Sequence, residues 1–290
     1  MVSWGKAILT SLICVAWCFL WIFIGGIIII YALYTPVTNS SQVPSRYFAV
    51  IIGLVIIGLP FNTAYFKFFP EAVNKADIRW GEAFSGSASY FGQAVGWGLF
   101  FILLPIGAVV GAIGIRASYY QEFCKMINGE EIEGKSAWRA SGHMFGWVLL
   151  WALVAGLIIG FTTTYIQRNS LGYYNELALL IIALISAVFL IILGISAAEF
   201  KELGDIITFQ ETTWEIAYHK AALYAVWCIL WLVISGAVIY LGFYTAMDSP
   251  DPLYRNYVYP ITYLAIGLFI LSWGCLSAYT KYLGDIIELW

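Results

Sequence analysis

Trp17-Cys-Phe-Leu-Trp-Ile-Phe-Ile-Gly-Gly26 returns 210 residues later as Trp227-Cys-Ile-Leu-Trp-Leu-Val-Ile-Ser-Gly236, without a gap. Each copy lies inside a long apolar run, and neither contains a charge. Self-similarity of this kind signals a repeat architecture, and the character of the repeated stretch says what the repeats are. Ten residues that mix indole, aliphatic and glycine side chains with no polar face suit a helix surrounded by apolar groups on all sides.

Working outward, Trp4, Trp80, Trp138 and Trp214 serve as repeat starts, at intervals of 76, 58 and 76 residues. In that register Trp17, Trp151 and Trp227 coincide, as do Trp21, Trp97 and Trp231, and Gly26, Gly160 and Gly236. Phe66-Lys67 coincides with Phe200-Lys201. Lys201-Glu-Leu-Gly-Asp-Ile-Ile207 matches Lys281-Tyr-Leu-Gly-Asp-Ile-Ile287 after a four-residue shift. The expected units are residues 4–79, 80–137, 138–213 and 214–290 of a single domain spanning 1–290. Each full unit is a helical hairpin followed by an interfacial segment, and the second unit is shortened.

Composition gives the medium. Hydrophobic residues make up 62% of the 290 and charged residues 11%, and mean hydropathy is +0.84. A soluble surface needs about 25% charged residues. The apolar runs here approach or exceed the roughly 20 residues that cross a bilayer. The fold class expected is all-α, a polytopic transmembrane bundle of helical-hairpin repeats. Its partners are membrane lipids and other membrane subunits or further copies of itself. The net charge of −3 and the lack of a basic tract give no reason to expect nucleic acid.

Full spans are expected at about 7–34, 47–66, 145–165, 177–198, 221–246 and 258–279. The apolar run at 87–115 is ambiguous. If it crosses once, there are seven spans, and the fourteen Lys and Arg divide six and eight across the membrane. If it is re-entrant, with a turn marked by Pro105, Gly107 and Gly111, eleven share the side of the N-terminus, and only Arg46, Arg168 and Arg255 lie opposite. Positive residues concentrate in the cytoplasm. The second count therefore favours six spans plus a re-entrant element in a cell-membrane protein with both termini cytoplasmic.

Chemistry is sparse. No Asp, Glu, Lys or Arg falls in the middle of an apolar run, which argues against ion coupling through a midplane charge. Asn62 and Gln93 are polar residues at membrane depth and become candidates for a pore or polar site, because an amide in lipid needs a partner. His143 and His219 lie 76 residues apart, at equivalent places, and are candidate haem or metal ligands; the alternative places both at headgroup depth. The five cysteines read as small buried hydrophobes. No nucleophile, base and orienter can be assembled, so neither catalysis nor a resident cofactor or metal is expected. Three functions remain in order: a subunit or scaffold of a membrane assembly, a channel or permease for a small neutral or weakly polar solute, and a lipid- or haem-handling protein.

Overall fold

The computed structural model describes residues 2–35, 43–73, 75, 77–102, 106–169 and 172–288. Of the described residues 92% are helical, and none is in a strand. The helices are α1 (Trp4–Tyr34), α2 (Val43–Ala72), α3 (Trp80–Gly98), α4 (Ile106–Asn128), α5 (Gly134–Asn169), α6 (Tyr173–Thr208), α7 (Trp214–Met247) and α8 (Tyr259–Glu288). A 3-10 turn, Leu99–Ile102, follows α3, and a π turn, Tyr254–Val258, leads into α8. Six helices are long and apolar enough to cross a membrane: α1, α2, α5, α6, α7, and α8 with its leading turn.

Local chemistry sets several helix starts. The Ser3 hydroxyl accepts from the Lys6 amide, and the Thr213 hydroxyl accepts from the Ile216 amide. Each supplies an acceptor to one of the amides a helix leaves free at its start. At α3 the Glu82 carboxylate accepts from the Arg79 amide. At the far end of α1, Arg46 donates to the carbonyls of Ala32, Leu33 and Thr35, placing a cation on the negative end of that helix.

The run at 87–115 is not one straight helix. Its described residues form α3 and α4, packed antiparallel: Tyr90 meets Tyr119, and Trp97 lies against Gly111 and Gly114. Gly107 and Gly111 are buried at the start of α4. Pro105 lies outside the described residues. A Cβ at Gly111 would meet the Trp97 carbonyl, and one at Gly114 would meet the Trp97 ring, so small residues set how closely the two helices approach.

The eight helices therefore pack as four antiparallel pairs, α1/α2, α3/α4, α5/α6 and α7/α8. Neighbouring pairs touch through α2 and α3, α4 and α5, and α6 and α7, and α8 returns to pack on α1. The result is a closed ring. At its closure Ser11 and Thr280 are 3.3 Å apart, and the Trp273 indole donates to the Ile8 carbonyl at 3.1 Å. Tryptophans mark each step around the ring. Trp80 packs on Trp17, Trp138 on Trp97, Trp214 on Trp147, and Trp4 on Trp227. Indoles also seat on glycines inside pairs. Trp151 fills the space beside Gly194, and Trp231 the space beside Gly274.

One end of the ring holds the core. This near end carries Trp4, Trp80, Gly134 and Trp214 at helix starts, and Ala72, Asn128, Thr208 and Glu288 at helix ends. The largest fully buried side chains lie there, among them Phe66, Phe69, Tyr120, Phe123, Phe200, Leu203, Leu283 and Ile286. Large apolar side chains along the spans stay exposed, such as Phe23, Ile30, Leu54, Leu153, Ile182 and Val233, as expected of helices solvated by lipid.

The segments after each hairpin, expected at the interface, add a packing role. They continue α2, α4, α6 and α8 into the near-end core. Lysine–acid pairs make this tolerable: Lys67 with Glu71, Lys201 with Asp205, and Lys281 with Asp285. Lys281 is 2.6 Å from both Asp285 oxygens, and Lys220 reaches Asp285 Oδ2 at 3.0 Å. In α4 the partner is displaced into the following loop, where Lys125 pairs with Glu131 and holds its carboxyl below the usual carboxylate range. Lys67 likewise lowers exposed Asp77.

Candidate functional site

Two residues before Lys67, Lys125, Lys201 and Lys281 stand Tyr65, Phe123, Glu199 and Tyr279. The ring brings the four together. Tyr65 stacks on Phe123 with centroids 5.6 Å apart, and lies 6.4 Å from Tyr279. The Tyr279 hydroxyl donates to Glu199 Oε1 at 3.0 Å. Three of these positions hold aromatic rings. The fourth holds a carboxylate only 3% exposed.

Arg116 of α4 pairs with that carboxylate through Nη2. The Tyr120 hydroxyl donates to the other oxygen, Oε2, at 2.9 Å. Glu199 thus receives one cation and two hydroxyls, the degree of pairing that keeps a buried charge affordable. The Arg116 guanidinium lies 5.0 and 5.1 Å from the ring centroids of Tyr119 and Tyr120, within reach of the aromatic quadrupole.

The pair borders open space. A cavity of about 410 Å³ is lined by Asn62 and Tyr65 (α2), Tyr90 (α3), Arg116 and Tyr119 (α4), Met144 (α5), Ile195, Ser196 and Glu199 (α6), Tyr224 (α7), and Leu276 and Tyr279 (α8). Seven of the eight helices contribute. Small-molecule sites typically run from about 300 to 1,000 Å³, so the volume suits a small solute. The Arg116 side chain keeps 34% of its surface accessible while Glu199 keeps 4%: the cation faces the cavity and the anion backs it. On the near-end side of these positions, Phe66, Phe200, Leu203 and Ile286 are fully buried and form the floor. Towards the far end, the buried residues of the described chain are small, including Gly25, Ala155, Ala183, Ala187, Ser235 and Gly267. They sit within helix pairs rather than across the ring.

A second buried carboxylate lies nearby. Glu122 accepts from the Ser89 hydroxyl, and its Oε1 is 3.4 Å from Gln93 Nε2. Gln93 also reaches Ser89 Oγ at 3.3 Å. This group ties α3 to α4.

The residues singled out in the sequence fall in different places. Asn62 lines the cavity. Gln93 belongs to the α3/α4 hydrogen-bond group and is not among the cavity-lining residues. His143 is exposed, with Nδ1 3.3 Å from Glu202 Oε1, and His219 is exposed on α7. Neither histidine lines the cavity. No cluster of three or more His, Cys, Asp or Glu suited to a metal occurs among the described residues. The five cysteines are free, with Cys14, Cys124 and Cys228 buried.

The sequence reading missed Arg116 and Glu199. Each stands one residue beyond where an apolar run stops, after Ile115 and after Ala198, and so resembles a membrane-surface charge. The available signal was the place two residues before each lysine, where one carboxylate stands among three aromatic residues. The absence of charge from the middle of the runs was correct, but it did not mean the absence of charge from the interior. Compared with known proteins, the chain matches no family model, no curated protein and no solved structure.

Proposed function

We propose that this chain is a non-catalytic, multi-pass membrane protein that admits a small polar solute to the Arg116–Glu199 cavity and passes it across the bilayer. The six apolar helices supply the membrane domain. The observation that carries the reading is an ion pair facing open space inside the ring. Intramembrane charge is expensive and is kept where it serves a pathway or binding site. A subunit or scaffold, the function the sequence favours first, accounts for the apolar exterior but gives no reason for an accessible guanidinium within it. A haem-handling role gains no support from this cavity, since both histidines are exposed and neither lines it.

The topology we infer is four hairpin repeats with the near end cytoplasmic. The eleven Lys and Arg on the N-terminal side in the re-entrant arrangement support it. In this arrangement α3/α4 is the re-entrant element. α3 with its 3-10 turn has 23 residues against 31 in α1, and α4 has 23 against 30 in α2, so the described part of this hairpin is about 10 Å shorter than the α1/α2 pair. Among the described residues, α2 and α5 do not pack on one another. The far side of the cavity is therefore bounded by three hairpins, which suits an outward-facing vestibule above a closed floor.

Cysteine accessibility in intact cells tests this reading. Asn62→Cys should react with an impermeant thiol reagent added outside, and Leu203→Cys in the floor should not, with the native cysteines as the blank. An Asn62→Cys protein unreactive from both sides of the membrane removes the solute pathway.

A further inference from the structure

The charges of the cavity select the solute. Arg116 and Glu199 are the charged residues that line it, so the lining itself has no net charge. Glu199 is already engaged by Arg116, Tyr120 and Tyr279. Arg116 is not used up. Its Nη2 meets Glu199, while its buried Nε has no hydrogen-bond partner among the described residues. About a third of the side chain stays accessible, so the guanidinium can still meet a solute in the cavity it lines. The geometry of a guanidinium edge best matches a carboxylate.

A simple anion would satisfy Arg116 but bring a second negative charge beside Glu199 in an enclosed site, which is unfavourable. A simple cation would find ring faces and Glu199 but meet the like charge of Arg116. A solute carrying both charges meets both demands. Five tyrosines, Tyr65, Tyr90, Tyr119, Tyr224 and Tyr279, are among the remaining lining residues, and aromatic faces attract ammonium groups. We propose that the cavity binds a small zwitterion of amino-acid or betaine size, its carboxylate on Arg116 and its ammonium among the tyrosine rings beside Glu199. The proposal rests on the solute reading of this cavity and names the class of solute.

The test is calorimetric titration of the full-length protein in detergent with matched sets of probes. Glycine betaine is compared with 3,3-dimethylbutanoate, its anionic carbon isostere, and with choline. L-phenylalanine is compared with 3-phenylpropionate and phenethylamine. In at least one set the zwitterion should bind at least about tenfold more tightly than both singly charged relatives. Glu199→Gln leaves the site net positive and should shift preference towards the anion. Arg116→Gln should shift it towards the cation. Equal binding of a singly charged probe overturns the proposal, as does the lack of zwitterion binding up to about 10 mM. The wild-type comparison decides the matter even where a variant fails to fold. If Asn62→Cys is reachable but no zwitterion binds, the charge-class inference falls alone. If Asn62→Cys is unreachable from both sides, the solute reading falls with it.

Discussion

Replacing Glu199 with glutamine leaves the Arg116 cation facing the tyrosine rings without its counter-ion. Breaking one side of a buried pair costs about 3–5 kcal/mol, because the surviving charge is desolvated and unpaired. Arg116 keeps about a third of its side chain accessible, so water in the cavity screens part of this, and the lower end, about 3 kcal/mol, is expected. Arg116→Met should cost more, about 4–5 kcal/mol, since Glu199 is almost fully buried. The double variant Arg116→Met with Glu199→Met removes both charges and refills the volume with apolar atoms. It should recover most of the loss and lie within about 1–2 kcal/mol of the parent. Unfolding in mixed micelles with a double-mutant cycle built from Arg116→Met, Glu199→Met and their double measures the coupling, which should exceed about 2 kcal/mol. Strict additivity of the two single effects would show that the charges do not act as a pair, and would refute the reasoning.

Tyr279→Phe removes one hydroxyl from Glu199 and should destabilise by about 1.5–3 kcal/mol, the range for hydrogen bonds to a charged group. An effect no larger than that of an exposed Tyr240→Phe control would argue against the bond. Gly274→Val places a branched side chain where the Trp231 ring sits, and overpacking should cost about 1–3 kcal/mol. Gly236→Val, with open space beside it, is the control, and equal losses would discount the seating of the indole. Single cysteines at Ser136 and Ser249 report topology: Ser249→Cys should be labelled from outside intact cells and Ser136→Cys only after permeabilisation. The reverse pattern would overturn the orientation inferred from the positive residues.

Membrane class and helix identity were legible along the chain, because lipid solvation demands long uninterrupted apolar runs and each run is read locally. The tryptophan register pointed to hairpins, and in two of them an indole seats on a glycine of the second helix, Trp151 on Gly194 and, one turn further along the register, Trp231 on Gly274. The break within 87–115 was legible as an alternative, raised by Pro105 and weighed by charge. The course of the segments after each hairpin was not legible. Lys201 and Lys281 look like surface charges until Asp205 and Asp285 are seen beside them, packed with their helices into the near-end core.

The sequence by itself determined that the chain is helical, that six of its helices suit a bilayer, and that its aromatic and glycine residues recur in register. Only the tertiary structure decided what the interior contains. Arg116 and Glu199 are far apart in sequence and sit on different hairpins, each at the margin of an apolar run. Local pattern fixes the environment of a residue through its neighbours on one helix. The pairing of a charge depends on which other helix faces it, and that followed only when α8 closed the ring on α1 and brought α2, α4, α6 and α8 around a common centre.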